Sequence, residues 1–128
     1  MDLSSAYARD AQKASRTISV TDDSAVISDS ITLNKESDIY WNWYIATTQD
    51  NITISDDGKS AKVNLSGTLY DVSFEADFDY SLYVEAADYY VNVDPDVGGR
   101  KHKNTGFKRL VLCMKGASGT VNVKTTVK

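Results

Sequence analysis

Apolar and polar residues alternate strictly over residues 38–45 of the chain. One set of alternate positions is apolar and consists of Ile39, Trp41, Trp43 and Ile45. The other set is polar or phenolic and consists of Asp38, Tyr40, Asn42 and Tyr44. A period of two puts each set on its own face of a β-strand. We therefore predict a strand with both tryptophans of the chain on the inner face of a sheet.

Shorter runs rich in Val, Ile and Thr recur along the rest of the chain, separated by turn residues. The runs that we interpret as strands are 16–20, 25–33, 38–45, 51–55, 61–65, 69–74, 81–86, 89–93, 107–114 and 120–127. Asp57-Gly58, between two alternating runs, is a strong hairpin signal. About eight to ten short strands with tight turns are typical of an antiparallel β-sandwich, and parallel pairing lacks the crossover helices that it needs. The predicted fold class is all-β.

The remaining segments give weaker expectations. Residues 1–15 are expected to form a short helix or an irregular lead-in, capped by Ser4 or Ser5, before a sandwich over 16–128. Asp29 falls in line with apolar residues of its strand, which predicts either a bulge or a carboxylate at the edge of the core. We expect a long polar loop over 94–106, and a final hairpin whose turn is 115–119.

Length, composition and charge restrict the function classes. A chain of 128 residues fits one domain, and its net charge of −4 argues against nucleic acid, which requires a basic face. No apolar run reaches the roughly 20 residues of a membrane span, and the N-terminus does not have the basic start and apolar stretch of a secretion signal. Cys113 lies in an apolar run and is expected to be a small core or strand residue.

Candidates for catalysis and for metal binding are weak. His102, the one histidine, lies among cationic residues in a segment that we expect to be a solvated loop, so no catalytic residue is assigned. Oxygen donors alternate at Asn92, Asp94 and Asp96, but position twelve of such a calcium loop would be Lys103 instead of a bidentate Glu. We expect no metal and no cofactor.

Carbohydrate is the ligand class that the polar face of the tryptophan strand favours. Sugars stack their apolar faces on exposed rings, and basic side chains suit sulfate or uronate groups. The residues that we predict to bind an acidic glycan are Tyr40, Asn42, Tyr44, Arg100 and Lys101. The alternative is ordinary packing of tyrosines on a half-buried strand, together with a charged loop that only keeps the protein soluble.

Six segments follow one another along the chain: DLSSAY (2–7), KASRTI (13–18), VISDSI (26–31), the tryptophan strand (38–45), ITISDDGK (52–59) and KRLVL (108–112). Taken in this order, they resemble the β-rich C-terminal half of heparinase II/III-like polysaccharide lyases. The resemblance covers nearly the whole chain and depends on order and spacing, because each segment alone is common strand sequence.

The resemblance implies a non-catalytic accessory domain. Such lyases have a helical toroid followed by antiparallel sheets, and they cleave acidic polysaccharides by β-elimination at a uronic acid. No catalytic position of the family maps onto this chain, so no activity is expected of it alone. The implied partners are the catalytic domains of a bacterial, periplasmic or extracellular parent lyase and its acidic polysaccharide, and the chain is expected to be a fragment of that parent. A free-standing carbohydrate-binding or adhesin-like sandwich of immunoglobulin type is the alternative.

Overall fold

The structure is a computed structural model that describes residues 1–47, 51–87, 89–91, 100–102 and 106–128, with 89–91 and 100–102 described as backbone only. A 3-10 helix over Ser4–Tyr7 precedes eleven strands. The strands are β1 Ala11–Val20, β2 Ala25–Leu33, β3 Ser37–Ile45, β4 Ile52–Ile54, β5 Ser60–Leu65, β6 Thr68–Ala76, β7 Ser81–Ala86, β8 Tyr89–Val91, β9 Arg100–His102, β10 Lys108–Ala117 and β11 Thr120–Val127.

The strands form two packed antiparallel sheets and a small ribbon. The larger sheet has the order β1-β2-β11-β6-β5-β4, the smaller has the order β3-β10-β7, and β8 pairs with β9. The β1–β2 and β4–β5 pairs are the hairpins that the turn residues predict. These observations confirm the prediction of an all-β antiparallel sandwich. Among the described residues, no helix is long and apolar enough to cross a membrane.

The core lies between the inner faces of the two sheets. Leu110, Leu112 and Met114 of β10 are fully buried and face Val121 and Val123 of β11 and the strands beside it. The predicted inner face of β3 packs against this cluster and is partly buried, as expected for an edge strand. The prediction that both indoles face inward is confirmed. Burial of these apolar side chains is the main favourable term for the fold.

The predicted final hairpin is wrong, because β10 and β11 belong to different sheets. β10 is the central strand of the small sheet and pairs with β3 on one side and β7 on the other, so β11 has no free edge there. The chain instead crosses the sandwich through Gly116 (φ 60°) and Gly119 (φ 69°). β11 then enters the large sheet between β2 and β6.

The N-terminal segment also differs from expectation. The first strand begins at Ala11, because Ala11 and Ala14 are small enough to be buried where β1 runs beside the end of β2. The 3-10 helix has no side-chain cap of the predicted kind. The Ser4 hydroxyl oxygen accepts a hydrogen bond from the Ala14 N–H. Asp2 Oδ1 accepts a hydrogen bond from the Ser4 N–H over 2.9 Å.

Two more differences concern the later strands. β9 lies inside the segment that was predicted to be a loop, where its backbone pairs with Tyr89–Val91 of β8. β10 continues through Lys115 and Gly116, which were predicted to be turn residues, because Asp38 of β3 accepts hydrogen bonds from both. The proposed oxygen donors at 92, 94 and 96 lie outside the described residues.

Candidate functional site

The outer face of the small sheet, called here the aromatic face, carries three of the four exposed tyrosines whose side chains the structure describes. It consists of Asp38, Tyr40, Asn42 and Tyr44 of β3, Ser81, Tyr83 and Glu85 of β7, and Arg109, Val111, Cys113 and Lys115 of β10. Side chains at alternate positions of neighbouring strands share one face of a sheet. The predicted row on β3 is therefore one edge of a wider surface.

The register of the three strands arranges this face in rows. Arg109 lies between Tyr44 and Glu85, and pairs with Glu85 through Nη2. Nε of Arg109 is buried and has no acceptor among the residues that the structure describes. An unmet donor is unusual in a folded protein. It lies next to Tyr44, which is 63% exposed.

Two small residues in the middle of the aromatic face are buried. Val111 lies between Asn42 and Tyr83, and Cys113 lies between Tyr40 and Ser81. Both Val111 and Cys113 are buried, although they belong to an outer face. Tyr40, Asn42 and Tyr83 are their larger cross-strand neighbours, and pairs of this kind interact on one face of a sheet. Cys113 is a buried strand residue, as expected, while Tyr40, Tyr44 and Tyr83 are exposed.

Lys115 lies at the other end of the aromatic face, where it contacts Asp38 and Tyr40. Lys115 Nζ donates to Asp38 Oδ2 and to the Tyr40 hydroxyl, each over 2.7 Å, and lies 5.1 Å from the centroid of the Tyr40 ring. Hydrogen bonds from Lys115 and from the Gly116 N–H hold the pKa of Asp38 below its ordinary value. The same contacts, first with Asp38 and then with Tyr40, raise the pKa of Lys115. Both groups stay charged through the neutral range.

A cleft, called here the edge cleft, opens where β1 and β3 lie at the same side of the sandwich. Its volume is about 290 Å³. Its lining comes from the N-terminal segment and from β1, β2 and β3 and consists of Leu3, Tyr7, Ala14, Ser15, Arg16, Asp29, Ser30, Ile31, Ile39, Tyr40, Trp41 and Asn42. Tyr40 and Asn42 thus belong to both the aromatic face and the edge cleft.

Asp29 is the buried polar centre of the edge cleft, with 8% of its surface exposed. Its Oδ1 accepts from Arg16 Nε over 2.7 Å, and its Oδ2 accepts from Arg16 Nη2 over 2.9 Å and Trp41 Nε1 over 3.0 Å. The hydrogen bond to Asp29 is the main cause that raises the pKa of Arg16. β2 is regular here, so the second expectation for Asp29, a carboxylate at the edge of the core, is confirmed.

The five predicted glycan-binding residues are divided between two elements. Tyr40, Asn42 and Tyr44 lie side by side on the aromatic face. Arg100 and Lys101 lie on β9, where their backbones pair with Val91 and Tyr90, and their side chains lie outside the described residues. Glycan binding by this set stays a prediction.

Sequence reasoning missed Arg109, Glu85 and Lys115 as neighbours of the predicted row. In the sequence, each of these residues only alternates with apolar residues of a predicted strand. That alternation indicates the face of the strand but not which strands are adjacent. Apart from side chains that the structure does not describe, no group of three or more His, Cys, Asp and Glu residues is arranged to hold a metal ion.

A scan against known family models and a search of curated proteins found no match to this sequence. A search of solved structures found the structure titled Crystal Structure of Heparinase III, with a TM-score of 0.60 and 14% sequence identity. The match covers 90% of this chain and 17% of that one, so the chain spans about a sixth of the length of the protein that it matches. At this identity the comparison shows a shared fold.

Proposed function

We propose that the chain is a non-catalytic accessory β-sandwich of a heparinase-like polysaccharide lyase. In this role it supports the catalytic domains and contacts acidic polysaccharide through the aromatic face. The observation that carries the proposal is the fold match to heparinase III, which covers almost all of this chain and a small part of that protein. A single sandwich that corresponds to a small part of a larger chain is typical of an accessory domain.

The geometry of the aromatic face supports a glycan as the ligand. Tyr40 and Tyr44 are four positions apart on one strand, so their Cα atoms are about 13 Å apart. That distance accommodates more than one sugar ring, and Asn42 between them supplies an amide donor and acceptor. Exposed rings with polar groups between them bind the apolar face and the hydroxyls of a sugar together.

The charges of this face support an acidic glycan. Arg109 and Lys115 lie at its two ends, paired with Glu85 and Asp38. The Lys115–Asp38 pair is exposed, whereas the Arg109–Glu85 pair is partly buried. Exposed ion pairs in water contribute little to stability, so an incoming sulfate or carboxylate can replace Asp38 as the partner of Lys115. Binding through such exchange weakens as salt rises.

An NMR titration of the ¹⁵N-labelled chain with heparin and alginate oligosaccharides tests the glycan contact. The expected result is saturable shifts at Tyr40, Asn42, Tyr44, Tyr83 and Arg109, which Tyr44→Ala reduces. Leu69→Ala is the matched control, because Leu69 is 57% exposed on the outer face of the large sheet. Absence of shifts at millimolar sugar, or equal effects of both substitutions, contradicts the glycan contact.

The accessory role has its own test. The purified chain is expected to release no unsaturated uronate from heparin or alginate, as followed by ultraviolet absorbance. Release of that product by the chain, abolished by a point substitution in it, contradicts a non-catalytic role.

A free-standing carbohydrate-binding module is the second candidate. The observation that favours it is a core that the sandwich completes from its own strands. The coding sequence that precedes Met1 in the source genome separates the two candidates. An upstream toroid domain in the same reading frame supports the accessory role, and a separate gene supports the free-standing module.

A further inference from the structure

We propose that the edge cleft is a second sugar site, which binds one uncharged pyranose ring. The proposal goes beyond the acidic-glycan contact of the aromatic face, because its main contacts come from the N-terminal segment, β1 and β2. Only Tyr40 and Asn42 belong to both sites.

The size of the edge cleft suits a small ligand. Its volume of about 290 Å³ lies just below the range for sites of drug-sized ligands, about 300 to 1,000 Å³, which suits a single sugar ring. Such sites combine apolar or aromatic walls with a few converging polar groups. The edge cleft has this composition, with Tyr7, Tyr40 and Trp41 beside Arg16 and Asn42.

The charge of the lining favours an uncharged ligand. Among the described residues that line the cleft, Arg16 and Asp29 are the Arg and Asp side chains, and they neutralise each other in a two-bond pair. A ligand carboxylate would have to compete with Asp29 for the guanidinium, and Asp29 is held by Trp41 as well. A hydroxyl needs no such exchange, since it is recognised by neutral or already paired groups.

Donors in the edge cleft are fixed before a ligand arrives. Two of the three guanidinium nitrogens of Arg16 donate to Asp29, and Nη1 makes no bond among the described residues. The pair holds the planar guanidinium in one orientation, so Nη1 can donate to a hydroxyl with little loss of conformational entropy. Asn42 of β3 also lines the edge cleft, and its amide Nδ2 donates to the Tyr40 carbonyl over 3.4 Å.

The aromatic side chains give a stacking surface. Tyr7 is 49% exposed and Tyr40 is 46% exposed, and both line the edge cleft. A pyranose has an apolar face of C–H groups that packs on such rings while its hydroxyls reach polar groups. Tyr7 lies in the short 3-10 helix and makes no side-chain hydrogen bond with the described residues, so its ring is available.

The indole N–H of Trp41 is a direct reporter of this site. It bonds Asp29 at the base of the edge cleft, and Trp43, the other tryptophan, does not line the cleft. We would titrate the ¹⁵N-labelled full chain with methyl β-glucoside and, separately, with methyl β-glucuronide. These two sugars differ only at C6, which is a hydroxymethyl group in the glucoside and a carboxylate in the glucuronide.

The expected result is a saturable shift of the Trp41 Nε1–H resonance with the glucoside, at least severalfold weaker binding of the glucuronide, and an unmoved Trp43 signal. Tyr7→Ala is expected to weaken glucoside binding at least severalfold, while Tyr7→Phe and Leu69→Ala bind as the unmodified chain does. A dispersed amide spectrum verifies that each variant is folded.

Three outcomes would overturn the proposal: no Trp41 shift at millimolar glucoside, tighter binding of the glucuronide than of the glucoside, or unchanged affinity in Tyr7→Ala. Loss of binding in Tyr7→Phe contradicts stacking on the Tyr7 ring. Failure of the aromatic face is read separately, from the Tyr44 shifts with acidic oligosaccharides, so the two failures are distinguishable.

Discussion

Trp41 on β3 donates its indole Nε1–H to Oδ2 of Asp29 on β2 over 3.0 Å, and this hydrogen bond joins the two sheets of the sandwich. Asp29 is almost fully buried and also accepts two hydrogen bonds from Arg16 on β1. A carboxylate removed from water requires such partners. The contact between the sheets is therefore not purely apolar, and one carboxylate connects three strands.

We expect Asp29→Ala to lower the free energy of unfolding by about 2 to 4 kcal/mol, because it leaves the Trp41 N–H without its acceptor and Arg16 without its anion. The expected loss of stability is smaller than for a fully buried ion pair, because the Arg16 side chain is 37% exposed and can reach water. Urea unfolding followed by tryptophan fluorescence measures the change.

Asp71→Ala is the matched control for this change. Asp71 accepts from Lys62 over 2.7 Å on the outer face of the large sheet, with both side chains at least 60% exposed. Its loss is expected to change stability by less than about 0.5 kcal/mol. Equal losses for the two substitutions would show that Asp29 acts as no more than a surface charge.

We expect the protein to lose stability at high pH because of Tyr80. Its hydroxyl donates to the Phe74 carbonyl over 2.9 Å, and burial, followed by the negative charges of Asp57 and Glu75, raises its pKa. The folded state therefore keeps the Tyr80 proton at a pH at which the unfolded chain has lost it. The contribution of the protonated Tyr80 hydroxyl to the free energy of unfolding is complete below the unfolded pKa of about 10. It is lost as the pH rises through the folded pKa.

Urea unfolding of the chain and of Tyr80→Phe across this alkaline range tests the prediction. Tyr80→Phe is expected to be less stable at neutral pH, because the hydrogen bond to Phe74 is missing. The difference between the two proteins should shrink as the pH rises above about 10. A constant difference across that range would contradict the assigned role of the Tyr80 proton.

Local patterns predicted the strands and their inner faces well. The alternation around Trp41 and Trp43 is matched by the burial of β3, and the Asp57-Gly58 turn joins β4 to β5 as expected. The position of Asp29 among apolar residues indicated a carboxylate at the edge of the core. Each of these features depends on neighbours in the sequence, where a period of two is informative.

Relationships between distant strands were not predictable in the same way. The glycines at 116 and 119 indicate a turn, but a turn signal does not tell whether the chain returns to the same sheet or crosses to the other. Arg16 and Trp41 were not recognised as partners of Asp29, since the partner of a buried charge depends on how the sheets stack. The same limit hid Arg109 and Lys115 beside the tyrosines of β3.

Cys113 tests whether the tyrosine rings cover the aromatic face. It is buried, and lies opposite Tyr40 in the register of β10 and β3. In the native protein we expect slow reaction with a thiol reagent, because the thiolate must be accessible to react. Tyr40→Ala should raise the labelling rate severalfold, and Leu69→Ala, on the other sheet, should not.

Mass spectrometry of timed alkylation gives these labelling rates. A global loss of stability would also expose Cys113, so the unfolding free energy of each variant is measured in parallel. Faster labelling in Tyr40→Ala with unchanged stability identifies the ring as the cover. Equal labelling rates in the chain and in Tyr40→Ala would mean that other atoms of the aromatic face bury the thiol.

Gly119 tests the crossing from β10 to β11. Its φ of 69° lies in the left-handed region, and a Cβ placed there meets no atom within 4 Å. An alanine at this position is therefore strained by its backbone alone, which costs about 1 to 2 kcal/mol. The carbonyl of Gly119 also accepts the Leu33 N–H over 2.9 Å, so relaxation of the turn would weaken the end of β2.

Gly106→Ala is the matched control, since a Cβ at Gly106 also meets no atom of the described residues within 4 Å and its φ lies outside the left-handed region. We expect Gly119→Ala to lower the free energy of unfolding in urea by about 1 to 2 kcal/mol, and Gly106→Ala to leave it the same or raise it slightly, because alanine restricts the unfolded chain. If both substitutions have the same effect, the left-handed turn at 119 does not limit how the chain passes between the sheets. A selective loss at Gly119 would show that the crossing, which no local pattern predicted, depends on the backbone freedom of that residue.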